Sequence, residues 1–112
     1  MDEVKEQWMH RIRNLAPQLQ KAENDVFVAE ANLKRLLAQL KLKATAEGCR
    51  TVAAQEVYAE NSQDVYDARI EIGKCKGLLM GLKVQLKSLE VGFEEWRTKM
   101  VNYREEKKRY GT

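Results

Sequence analysis

Twelve apolar residues between positions 65 and 103 stand at an unbroken alternation of three- and four-residue steps. They are Val65, Ala68, Ile72, Cys75, Leu79, Leu82, Leu86, Leu89, Phe93, Trp96, Met100 and Tyr103. With 44% of the chain apolar, twelve hits at preset positions have a chance on the order of one in 20,000. The first half repeats the pattern in Trp8, Ile12, Leu15, Leu19, Ala22, Val26, Ala29, Leu33, Leu36 and Leu40. An apolar period of about 3.5 residues keeps a single stripe facing a partner when two helices wind on each other. The chain therefore reads as all-α. It is a long antiparallel, coiled-coil-like helical hairpin whose function lies on its outer surfaces.

At 112 residues the chain is expected to form a single helical domain, 1–112. A third of it is charged and it holds one proline, as suits long helices. The net charge of +3 is too mild to imply nucleic acid by itself. Two cysteines form no disulfide framework, and Cys75 falls in the apolar stripe as a small hydrophobe. The first residues are charged and no apolar run is long enough for a bilayer. These features predict a cytoplasmic protein with no membrane partner.

The punctuation divides the chain into three helices. Helix A is expected over about 2–47, with Asp2 as a capping carboxylate and Gly48 as a left-handed stop. Pro17 lies inside this stretch on the solvent side, so a kink or a break into two collinear pieces is expected there. A short helix over about 52–60, capped by Thr51, is expected to lie across the end of the hairpin. Helix B is expected over about 63–110, started by Ser62 and Asp64 and ended in cationic turns that suit the helix dipole.

The charges beside the stripes select the pairing. Folding the chain back on itself sets Leu33 opposite Ile72, Val26 opposite Leu79 and Leu19 opposite Leu86. Glu30 then lies by Lys76, and Glu23 by Lys83. Each such pair contributes only about 0.3–0.5 kcal/mol, so they choose register rather than supply stability.

A hairpin buries one stripe only and is marginal alone. Gly73, Gly77 and Gly81 recur every fourth residue, and Ser88 and Gly92 continue the small-residue row. Each glycine inside a helix costs roughly 1 kcal/mol against alanine, so a close backbone approach is expected on this row. The middle helix or a second copy would supply it. Phe27, Val28, Leu37, Leu42, Ile70, Leu78, Val84 and Val91 lie off the stripes and also call for cover. A homodimer with a four-helix arrangement is the expectation. A three-helix monomer that absorbs the row internally is the alternative.

Little here suggests catalysis. His10 is the single histidine and has no cysteine near it, so no metal site is expected. Cys49 and Cys75 have neither CxxC spacing nor a histidine partner in sequence. No glycine-rich phosphate loop is present. The reading is a non-enzyme with no cofactor and no small-molecule substrate.

The strongest functional signal is the end of helix B. Arg97, Lys99, Arg104, Lys107, Lys108 and Arg109 face two carboxylates, Glu105 and Glu106, with Trp96, Tyr103 and Tyr110 interleaved. Cations track a phosphate backbone and aromatics stack on unpaired bases. Against this, all three aromatics fall on the apolar stripe and are accounted for as core, and a cationic helix end needs no ligand.

One resemblance bears on this. The run Leu42-Lys43-Ala44-Thr45-Ala46-Glu47-Gly48-Cys49-Arg50-Thr51 precedes Asp64-Val65-Tyr66-Asp67-Ala68-Arg69. Then come Leu79, Leu82, Leu86-Lys87-Ser88-Leu89-Glu90 and Phe93-Glu94-Glu95-Trp96-Arg97. Over roughly residues 40 to 104 this order resembles small helical proteins of bacteriophages and prophages. In those an "AEG…T" turn precedes a "D-x-V-x-x-A-R" helix start and a leucine-rich helix ending near "E-x-W-R". The resemblance implies a place among phage replication and recombination proteins, and it carries over no site residue. The expected role is an accessory that binds single-stranded DNA or a DNA-processing protein. Two further roles stand beside it: an inhibitor docking on a host enzyme or defence complex, and a structural spacer or virion component.

Overall fold

A computed structural model describes residues 2–110 of the chain, with three helices and no strand among them. They are α1 (Asp2–Ala46), α2 (Val52–Glu60) and α3 (Gln63–Arg109). The fold is the expected all-α helical hairpin with a short middle helix. Its residues group into two compact units, Met1–Leu19 with Gly81–Thr112, and Gln20–Met80. Both long helices contribute to each unit.

The helix boundaries follow from cap chemistry. At the end of α1, Gly48 takes φ +99°, a left-handed conformation costly for any residue with a Cβ. The turn lets Cys49 N–H donate to Ala44 O at 2.9 Å and Gly48 N–H donate to Thr45 O at 3.2 Å. These are the two bonds of a Schellman cap, which satisfies carbonyls the helix end would otherwise strand. Thr51 caps α2 by accepting from Ala54 N–H at 3.1 Å, and Ser62 starts α3 by accepting from Asp64 N–H at 3.2 Å. Asp2 lies inside the first turn of α1, where its charge complements the dipole, rather than at the cap position.

Pro17 does not break α1, which continues through it as one helix. The missing N–H leaves one carbonyl without its helical donor. Pro17 is exposed, so water can serve that carbonyl.

The apolar stripes are the buried faces. All ten stripe positions of α1 are buried or half-buried, as are the α3 positions from Val65 to Met100. In the unit Gln20–Met80, the buried residues are Ala22, Ala29, Ala44, Ala59 and Val65. Lys76 reaches Glu30 at 3.2 Å, the pairing that antiparallel folding requires. Glu23 and Lys83 belong to different units. α2 closes the end of its unit. Gln55 donates to Thr45 Oγ1 and to Cys49 O, Ala59 is fully buried, and Arg69 of α3 pairs with Glu60.

Tyr58 is tied to the same turn. Hydrogen bonding with the Glu47 carboxylate raises its pKa above the usual 10.0, helped by partial burial and by the charge of Glu47. Folding thus favours the neutral phenol. Its contribution is fully present below pH 10.0 and is lost as pH rises past the raised value. Tyr58→Phe should therefore flatten the alkaline loss of stability above pH 10, read as unfolding midpoints by circular dichroism across that range.

Candidate nucleic-acid interface

In the unit Met1–Leu19 with Gly81–Thr112, an aromatic cluster fastens α1 to α3. Trp8 meets Phe93 at a centroid distance of 6.5 Å, and Phe93 stacks on Trp96 at 6.0 Å. The guanidinium of Arg11 lies 5.9 Å from the Trp8 ring, a cation–π contact. Gly92 makes this possible. A Cβ at that position would stand 2.8 Å from Cη2 of Trp8, so the indole lies directly on the helix backbone. Gly92 thus makes the close approach expected of the small-residue row, with Trp8 as its neighbour.

The rest of the row behaves differently. Nothing lies within 4 Å of where a Cβ on Gly73, Gly77 or Gly81 would be, and Ser88 is exposed. The middle helix is therefore not what packs there, and the row is not absorbed inside the chain.

Cover fails after Met100. Every residue from 101 to 110 is exposed. The expectation that all three aromatics of this end are core holds for half-buried Trp96 and fails for the tyrosines. Tyr103 is 52% and Tyr110 75% exposed. The apolar period continues along α3, but the facing stripe of α1 begins at Trp8, which packs at Gly92 and Phe93. Before Trp8 the described part of α1 offers one large apolar side chain, Val4, and it is itself 38% exposed.

The helix sorts the six cations. Tyr103, Lys107 and Tyr110 fall on one face, at four- and seven-residue steps, and Lys107 Nζ lies 5.4 Å from the Tyr103 ring. Arg97, Arg104 and Lys108 form a row beside it, with no carboxylate between the two rows. Lys99 borders the tyrosine face. Arg109 falls on the opposite side, near Glu105 and Glu106 one turn before it, and Glu106 also borders the tyrosine face, three residues after Tyr103 and four before Tyr110. Arg97 is shared with Glu94, at 3.6 Å. The continuous basic and aromatic face is therefore Arg97, Tyr103, Arg104, Lys107, Lys108 and Tyr110, about 20 Å long at 1.5 Å per residue.

Among the described residues no three His, Cys, Asp or Glu side chains are placed to hold a metal ion. His10 bonds to Asn14 at 3.2 Å. Both cysteines are free and half-buried, and burial, with Glu71 beside it, pushes the Cys75 thiol up and away from reactivity. No helix among the described residues is long and apolar enough to cross a membrane.

Comparison with known proteins brings no match: no family model, no curated protein and no solved structure is similar enough to align with the chain.

The two kinds of glycine make a contrast in one helix. Gly92→Ala should lower stability by about 1–2 kcal/mol, because the Trp8 ring must lift from the backbone. Gly81→Ala, in open space, should raise it by about 0.5–1 kcal/mol. Chemical denaturation of both variants checks this, and equal shifts would contradict the packing of Trp8 on Gly92.

Proposed function

We propose that the chain is a non-enzymatic accessory protein of phage or prophage DNA replication or recombination, and that it binds single-stranded DNA through the end of α3. The observation that carries the reading is the exposure of Tyr103 and Tyr110 on a face continuous with Arg97, Arg104, Lys107 and Lys108. A cationic helix end alone is explained by the dipole. Two exposed tyrosines among those cations are not. A phenol ring left in water gains nothing from folding, whereas stacking on an unpaired base is worth about 1–3 kcal/mol. The guanidinium and ammonium groups beside it supply phosphate contacts. Duplex DNA hides its base faces, so the tyrosines favour the single strand. The resemblance to small phage helical proteins supports the same setting.

Fluorescence anisotropy with a labelled single-stranded oligonucleotide tests this. Binding should be present at low salt and fall with a log–log slope of about −3, as four phosphate contacts give. Arg104→Glu with Lys108→Glu should weaken it by more than about tenfold, while Arg109→Glu changes it little. Tyr103→Ala with Tyr110→Ala should weaken single-strand binding selectively. Absence of binding at low salt would remove the proposal.

A further inference from the structure

We infer that a second copy of the chain packs antiparallel against the outer face of α3 in the unit Gln20–Met80, about a twofold axis near Glu71 and Ile72. On that face Tyr66, Ile70, Gly73, Gly77 and Met80 follow the same four-three alternation as the buried stripe, on the far side of the helix. None of the five is charged. Tyr66, Ile70 and Met80 are 61%, 44% and 69% exposed, and the two glycines face open space. A helix with two stripes at coiled-coil period is built for two neighbours. One neighbour is α1.

The face is complementary to itself. Its large residues, Tyr66 and Ile70, precede its hollows, Gly73 and Gly77. Turning one copy end for end sets Tyr66 over Gly77 of the other copy and Ile70 over Gly73, and the twofold repeats both contacts. A parallel pair would set tyrosine on tyrosine and glycine on glycine, with clashes at one end and voids at the other.

The charges on one border agree with that register. It brings Asp67 beside Lys74 of the other copy, twice. On the opposite border the register brings Arg69 beside Lys76 of the other copy, and the pairing of these cations with Glu60 and Glu30 of their own chain offsets that repulsion. These pairs leave little uncompensated charge to attract a foreign acidic helix. The unit's own cover is thin. Its buried residues are four alanines and one valine, while Phe27, Leu42, Val52, Val57 and Leu78 join the α3 face among its exposed large apolar side chains. A second copy is the partner always present when the chain folds.

Sedimentation equilibrium of the full chain should give a dimer. Asp67→Lys or Lys74→Asp alone puts like charges at both symmetric contacts and should weaken dimerisation by about tenfold, and the double exchange should restore it. Gly73→Ala with Gly77→Ala fills the hollows and should weaken the dimer by a similar factor while helicity by circular dichroism is kept. A chain that stays monomeric at every concentration, a double exchange no tighter than the singles, or glycine variants that dimerise unchanged would each overturn the inference.

Discussion

Burial of one narrow apolar stripe along each long helix is the interaction on which the remaining structure rests. Such a stripe covers its residues from one side only. It covers small side chains more readily than large ones, most of which protrude past its edges. That is why Ala22 and Ala29 are buried while Leu33, Leu79 and Leu82 on the same stripes stay half-buried; Leu15, at 3% exposed, is a large side chain that the stripe does enclose. A fully buried leucine is worth about 1.5–3 kcal/mol, and these positions realise only part of it. The stabilisation is spread thinly over many partly covered side chains.

Two local devices compensate for this. At the closed end, the Schellman turn at Gly48, the Thr51 cap and the bonds of Gln55 and Tyr58 pin α2 against its unit. In the other unit, Trp8 lies on Gly92 and against Phe93, which stacks on Trp96. Aromatic contact there replaces aliphatic packing, and the indole gets close because the helix offers no Cβ. Beyond Met100 neither device operates. The tyrosines that follow, Tyr103 and Tyr110, are exposed and contribute little to the hairpin.

Much of this fold is legible in the residues. Helix period, Thr51 and Ser62 as caps and Gly48 as a left-handed stop are local properties, and each lies where local chemistry puts it. The register is legible through Glu30 and Lys76, because only one direction of folding brings them together. The exposure of Tyr103 and Tyr110 is not. Their spacing is that of core residues, and only the position of Trp8 against Gly92 reveals that the cover has ended. The glycine row is ambiguous for the same reason. A missing Cβ signals close approach without saying whose atoms approach. At Gly92 it is an indole of the same chain, and at Gly73 and Gly77 no group of the chain comes near.

The account turns on the stripe being the stabilising surface, and two adjacent leucines test this directly. Leu79 lies on it and is half-buried; Leu78, its neighbour, is 69% exposed. Helix propensity and side-chain size are the same for both. In urea denaturation, Leu79→Ala should cost about 2 kcal/mol or more, and Leu78→Ala should stay within about 0.5 kcal/mol of the parent. Equal losses at the two positions, or a larger loss at Leu78, would contradict a hairpin held together along this seam.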